Sequence, residues 1–201
     1  ITIIDERYSD SDDLRLRRGQ DPSADLRHEA EPVTDAVRAA LARAEVILAQ
    51  DLPFDVTDLA PNLRWVQGVG AGISQLQSAG LPTASVRLTS AAGANSTAIA
   101  EFVLGRILQI VKRFPEIDEL AAARRWQPTY GTQLAGRTIT VVGLGSIGRR
   151  VAELARALGM RVHGVRRNVS APEESSVDRL FAVGELGAAV TDSDVVVAAV
   201  P

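Results

Sequence analysis

The residues most able to do chemistry are Gly143-Leu144-Gly145-Ser146-Ile147-Gly148, which follow the β-branched run Thr138-Ile139-Thr140-Val141-Val142. A glycine at 143 permits a tight turn, and one at 145 lets the main chain approach a pyrophosphate that any Cβ would hold off. Gly148 lets the following helix pack close to the strand. The N–H groups of Ser146 and Ile147 then face a diphosphate, helped by the positive end of the helix dipole. Glycine clusters alone mark many turns. The strand before this one and the helix after it make it a dinucleotide fingerprint, which predicts NAD(H) or NADP(H) as ligand.

The end of the next strand discriminates between those two cofactors. An NAD-selective site places an Asp or Glu there, about twenty residues beyond the motif, to accept hydrogen bonds from the adenosine ribose. Here Arg166 and Arg167 occupy the place. A carboxylate would repel a 2′-phosphate, whereas a guanidinium binds it through paired hydrogen bonds. Two arginines at a strand end are also ordinary solvated surface charge. Their position and the missing acid favour a phosphate site, hence NADPH preferred and NADH possible.

A second glycine-rich turn, Gly68-Val69-Gly70-Ala71-Gly72, precedes a short helix from Ile73. Unblocked amides in such a turn suit an anion as small as a carboxylate. The residues alone equally allow a plain strand-to-helix connection. The chain has two histidines and no cysteine, which excludes disulfides and thiolate metal sites. His28 falls in a polar stretch and His163 in a strand pattern, so both are expected to be structural or solvated.

The elements that must position these residues alternate between short apolar runs and helical patterns, as a parallel α/β layer does. Strands are expected at Thr2 to Ile4, Val46 to Ala49, Arg64 to Gln67, Val86 to Thr89, Thr138 to Val142, Arg161 to Val165 and Asp194 to Val200. The run at 46–49 reads as buried, and the last as a central strand buried on both faces. Helices are expected at Val33 to Ala44, Asn95 to Val111, Ile117 to Ala123, from Ser146 to a stop at Gly159, and at Val183 to Val190. Asp10 to Glu31 reads as loop, as does Asn168 to Ser176, and Trp126 to Leu134 as an irregular arm with Trp126 and Tyr130 in packing or subunit contacts.

The composition is that of an ordinary water-soluble α/β chain: 201 residues, 46% hydrophobic, net charge −3. Scattered Lys and Arg give no nucleic-acid or membrane footprint, and no apolar run reaches 18 residues. With no secretory leader in the sequence, a cytoplasmic protein is expected.

Several motifs in order resemble the D-isomer-specific 2-hydroxyacid dehydrogenases, in particular their glyoxylate and hydroxypyruvate reductase branch. Pro61-Asn62-Leu63-Arg64-Trp65-Val66-Gln67 with Gly70-Ala71-Gly72 is similar to that family's substrate loop. Ala94 to Glu101 is similar to the start of its inter-domain helix, and Trp126 with Gln133-Leu134-Ala135-Gly136-Arg137 to the approach to its fingerprint. Val200-Pro201 resembles the strand end beside the adenosine half of the cofactor.

The resemblance implies a flavodoxin-like substrate domain over 1–94 and a Rossmann domain over 95–201, incomplete at its C-terminal end, with the active site in the cleft. It implies that amides of Val69, Gly70, Ala71 and Gly72 hold the substrate carboxylate, that Asn95 lies near substrate and nicotinamide, and that Glu101 is structural. The family's catalytic Arg, Glu and His are then expected beyond Pro201, so this chain by itself should not turn over. Ile1 in place of Met and an end at a core strand likewise suggest part of a longer chain. Ser74-Gln75, where an Asp is common in relatives, leaves the substrate open. The expected function is hydride transfer between NADPH and a small 2-oxo acid, in a homodimer paired through the linking helix and the arm around Trp126. Two alternatives share the scaffold: a nicotinamide-sensing regulatory protein, and a different dehydrogenase or decarboxylating enzyme.

Overall fold

Short apolar runs pair as two separate parallel sheets, one in each of the units into which the chain divides, Ile1–Ala92 and Gly93–Pro201. The computed structural model describes residues 3–82, 84–169 and 176–200.

The first unit contains α1 (Asp12–Gln20), α2 (Asp35–Leu41), β1 (Val46–Ala49), α3 (Val56–Leu59), β2 (Trp65–Gly68), α4 (Ser74–Gln77) and β3 (Arg87–Thr89). The strand order is β1-β2-β3, all parallel, with Val46 opposite Trp65 and Trp65 opposite Arg87. Thr34 caps α2 by accepting from the Val37 N–H at 3.2 Å, so the helix starts two residues later than the apolar spacing begins. Val37, Leu41, Val56, Val66, Leu76 and Val86 form the core. Burying each such side chain contributes about 1.5–3 kcal/mol.

Three expectations for this unit need correction. Ile3 and Ile4 are exposed and belong to no strand, and Thr2 lies outside the described residues. No described residue pairs with the free edge of β1, so the N-terminal apolar run finds no ladder to join. Part of the stretch read as loop from Asp10 is instead helix α1, started by Ser11, whose hydroxyl accepts from the Leu14 N–H. Its buried face is Leu14 and Arg18, and an arginine in that stripe hides the periodicity. β1 is half exposed rather than buried: Leu48 is 70% exposed.

The second unit contains α5 (Ser96–Val111), α6 (Phe114–Ala122), β4 (Thr138–Val142), α7 (Ser146–Ala157), β5 (Arg161–Arg166), β6 (Arg179–Ala182), α8 (Leu186–Thr191) and β7 (Val195–Ala198). All four strands are parallel in the order β6-β5-β4-β7. Chain direction across the sheet therefore reverses between β4 and β7, the switch point at which doubly wound folds bind ligands. This is a Rossmann dinucleotide-binding architecture. Ala100, Leu104 and Ile107 of α5 share a core with Val151, Ala152 and Ala155 of α7 and with Ile139, Val141 and Val162 of the sheet.

α6 begins three residues earlier than its apolar pattern because Pro115 sits in its first turn, where a fixed φ and a missing N–H cost nothing. Strand β6 is unforeseen; its four residues bury only Phe181 fully. The last strand is not buried on both faces. Among the described residues β7 pairs with β4 alone, and Val196 is 52% exposed. Most of the loop expected over 168–176 lies outside the described residues.

Candidate functional site

The fingerprint turn joins β4 to α7, and each of its glycines has a separate steric reason. Gly143 adopts φ +96°, open to glycine and strained for other residues. A Cβ there would also lie 2.5 Å from the Ala199 carbonyl oxygen and 3.0 Å from Val200 Cγ1, so this glycine admits the end of β7 as well. At Gly148 a Cβ would fall 1.8 Å from the Gly143 oxygen and 3.2 Å from Val141 Cγ1, which is how the helix seats on the strand. Gly145 is different: it has extended backbone, and a Cβ would meet nothing within 4 Å among the described residues, its chain neighbours aside. The space in front of it is open.

Hydrogen bonding around the turn leaves donors facing that space. Gly143 N–H is used by the Val165 carbonyl at 2.8 Å, and intrahelical bonding starts with Arg149 N–H on Gly145 oxygen at 3.0 Å. Among the described residues the amides of Ser146, Ile147 and Gly148 donate to no protein acceptor. A row of free N–H groups at the head of a 12-residue helix suits a diphosphate. The residues present thus fit a dinucleotide: donors where charge would sit, and a glycine where its phosphates would touch main chain.

Arg166 is the last residue of β5 and Arg167 follows it, one step beyond Val165, whose carbonyl holds the Gly143 amide. Both guanidinium-bearing residues therefore leave the sheet at the same edge as the fingerprint turn. Arg167 is exposed and Arg166 half-buried. Val200 lies across the turn from Gly143, while Pro201 lies outside the described residues.

The loop carrying Asn95 belongs to the same neighbourhood. Gly93 has φ +92°, and a Cβ on it would sit 3.6 Å from Ser146 Cβ, so this loop lies against the head of α7. Ser96 Oγ donates to the Gly93 carbonyl at 2.8 Å and holds the loop. Asn95 stands just before α5 but makes no capping bond, and its side chain is exposed. Sequence spacing of about fifty residues gave no hint of this adjacency.

In the first unit, the glycine-rich loop leaves β2 at Gly68. Here the structure revises one expectation: Val69 N–H is taken by the Ala49 carbonyl at 3.1 Å, because β1 and β2 continue their ladder one residue further. Val69 therefore has no free amide to offer a carboxylate. Gly70, Ala71 and Gly72 N–H groups have no protein acceptor among the described residues, and all three residues are exposed. The Gly70 carbonyl accepts from Ala91 N–H at 2.9 Å, which fixes the loop from the other side. A cavity of about 570 Å³ opens at the opposite end of this sheet, lined by Glu45, Arg64, Trp65 and Arg87, and is remote from the loop.

Sequence reasoning missed one polar cluster, built on Arg18, which is 0% exposed. Its Nη1 pairs with Asp10 and donates to the Leu52 carbonyl at 2.9 Å; its Nε donates to Ser78 Oγ at 2.7 Å. Its guanidinium carbon lies 4.1 Å from the centre of the Phe54 ring. Arg15 beside it grips the buried Asp51 at 2.8 and 2.9 Å, and that carboxylate holds the Arg15 proton above the usual arginine range. The available signal was the i, i+4 pairing of Leu14 with Arg18.

His163 packs on Phe181 with ring centres 5.3 Å apart, and His28 is exposed beside Glu29. Neither borders a glycine turn. Among the described residues no cluster of ligating side chains could hold a metal ion, and no helix is long and apolar enough to cross a membrane.

Residues 104–201 match the family model described as D-isomer specific 2-hydroxyacid dehydrogenase, NAD binding domain. A Staphylococcus epidermidis protein named "Putative 2-hydroxyacid dehydrogenase" is 31% identical over 121 residues, 58% of this chain and 38% of its own length. Among solved structures, a D-isomer specific 2-hydroxyacid dehydrogenase family protein from Aeromonas salmonicida is 27% identical with a TM-score of 0.68, over 82% of this chain and 52% of that one. A glycerate dehydrogenase related protein from Thermoplasma acidophilum is 28% identical with a TM-score of 0.63, over 85% of this chain and 63% of that one. The chain thus spans between about a third and two thirds of the length of these relatives.

Proposed function

We propose that this chain supplies the cofactor-binding and carboxylate-binding parts of an NADPH-dependent 2-hydroxyacid dehydrogenase that reduces a small 2-oxo acid of the glyoxylate or hydroxypyruvate type. The observation that carries the reading is the meeting, at one sheet edge, of the free amides of Ser146, Ile147 and Gly148 with Arg166 and Arg167, where residues 166–169 hold no acid.

In this reading Ser146 and Ile147 N–H groups bind the pyrophosphate over Gly145, and Val200 with Pro201 flanks the adenosine half. Arg166 and Arg167 bind the 2′-phosphate, each charge-assisted contact being worth about 1.5–3 kcal/mol. The N–H groups of Gly70, Ala71 and Gly72 orient the substrate carboxylate, and in the second unit the Asn95 amide, on the loop beside the head of α7, hydrogen-bonds the nicotinamide end of the cofactor. When bound, NADPH supplies the hydride that turns the 2-oxo group into a 2-hydroxy group, with uptake of one proton. His28 lies beside Glu29 and His163 against the Ala189 carbonyl, and binding rather than turnover is the test of this reading.

A homodimer is part of the proposal. Ile110 is 72% and Trp126 92% exposed, and the arm carrying Trp126 and Tyr130 is tied to α5 where Thr132 N–H donates to the Val111 carbonyl at 2.8 Å. Large apolar side chains in one neighbourhood favour a self-complementary contact.

The test is fluorescence titration with NADPH and NADH. Tighter binding of NADPH is expected, and Arg166→Asp with Arg167→Ser should reverse the order. Equal binding of both cofactors by the wild-type chain would remove the NADPH preference.

A further inference from the structure

The three free amides of Gly70, Ala71 and Gly72 can grip a carboxylate only if the loop presents them at a fixed angle, and the loop leads into a helix of four residues. A helix that short has no stability of its own and takes its position from tertiary anchors. Leu76, in the core, fixes its depth. The directional contacts are polar: Gln75 Nε2 donates to the Gln50 carbonyl at 3.2 Å, and Ser78 Oγ donates to the Gln75 carbonyl at 2.7 Å while accepting from Arg18 Nε at 2.7 Å. Ser78 is the residue that ends α4.

Arg18 is itself immobilised. Asp10, the Leu52 carbonyl and the Phe54 ring hold its guanidinium, and Asp10 is held in turn by the Tyr8 hydroxyl at 2.7 Å. A buried ion pair is a poor way to gain stability, because apolar side chains of the same volume pack as well without the cost of stripping water from two charges. What an arginine provides and a leucine does not is a hydrogen bond with a direction, and that bond reaches the hydroxyl closing α4.

Resting on the carboxylate reading of the Gly70–Gly72 loop, we propose that Arg18 is a positioning residue for substrate: through Ser78 it sets the orientation of α4 and so the aim of the loop amides. The Asp10–Arg18–Ser78 chain is then part of the specificity for small carboxylates, although none of its members touches the substrate.

The experiment follows the amide resonances of residues 70–72 during titration with oxalate, together with hydrogen exchange over 70–78 and thermal unfolding, in the wild-type chain and four variants. Ser78→Ala should weaken oxalate binding about tenfold and speed exchange in the loop, whereas Ser78→Thr, which keeps the hydroxyl, should restore both. Arg18→Lys should resemble Ser78→Ala, and Arg17→Gln, on the same helix but paired with exposed Glu29, should change neither readout. If Arg18→Lys fails to fold, the Ser78 pair alone decides. Wild-type affinity and exchange in Ser78→Ala would overturn the proposal. A wild-type chain whose residues 70–72 do not respond to oxalate would overturn the carboxylate reading itself, while faster exchange in Ser78→Ala would still mark Arg18 as the anchor of the loop.

Discussion

The sharpest consequence of the fingerprint geometry is that the same substitution, glycine to alanine, should do opposite things at positions 145 and 148. At Gly148 a methyl group would stand 1.8 Å from the Gly143 oxygen, and that neighbour is backbone in a tight turn. To reach an ordinary carbon–oxygen contact, helix and turn must separate by more than an ångström, against a core containing Val151 and Ala152. Overpacking of this kind costs about 1–3 kcal/mol or more. Replacing a helical glycine by alanine returns up to about 1 kcal/mol, so a net loss near 2 kcal/mol is expected. For a unit of this size each 1 kcal/mol moves Tm by about 4–8 °C, so the Gly148→Ala transition should fall by roughly 8–16 °C.

Among the described residues, its chain neighbours aside, nothing lies within 4 Å of a methyl group added at Gly145, and the backbone conformation is one any residue adopts. Gly145→Ala should therefore keep its Tm within about 1 °C while losing at least about tenfold in NADPH affinity. Calorimetry and fluorescence titration on the two variants make the comparison. An unchanged Tm in Gly148→Ala would refute the steric reasoning, and undiminished NADPH binding by Gly145→Ala would refute the placement of the pyrophosphate.

Replacing Arg166 by Asp and Arg167 by Ser should weaken NADPH binding by about 10–100-fold and leave NADH binding equal or better; an unchanged ratio of the two dissociation constants would count against both arginines. Ile110→Asp on the exposed face of α5 should turn a dimer into a monomer by light scattering at micromolar concentration, and a wild-type monomer would end the dimer proposal. Asp194 accepts from the Thr138 N–H at 2.8 Å and pairs with Arg137 at 2.6 Å, and these contacts hold its carboxyl below the ordinary carboxylate range against a smaller opposing effect of burial. Its folded-state pKa lies below its unfolded one, so its contribution is complete above the ordinary range near about 3.9 and is lost as pH falls through the depressed value. Asp194→Asn should thus melt earlier than wild type at pH 7, with the two curves converging as pH falls through the depressed value; a gap independent of pH would show that the charge contributes nothing.

The sequence by itself determined whatever depends on neighbours along the chain. Six of the seven strands among the described residues, the stop of α7 at Gly159, and the fingerprint's setting between β4 and α7 follow from local propensity, period and turn chemistry, because a glycine or a β-branched run restricts its own backbone wherever it is placed. Tertiary structure decided everything that depends on what comes to lie opposite. Pairing of β1 with β2 consumed the Val69 amide, which no pattern at 68–72 could reveal. The approach of Ala199 gave Gly143 its second reason to lack a side chain, and the fold of the second unit set the Asn95 loop against Ser146. Arg18 shows the limit most plainly: a charged side chain at a core position reads locally as surface, and Asp10, Leu52, Phe54 and Ser78, drawn from three separate segments, offset most of the cost of its burial. Such compensation is a property of three-dimensional neighbours, and it has no period along the chain.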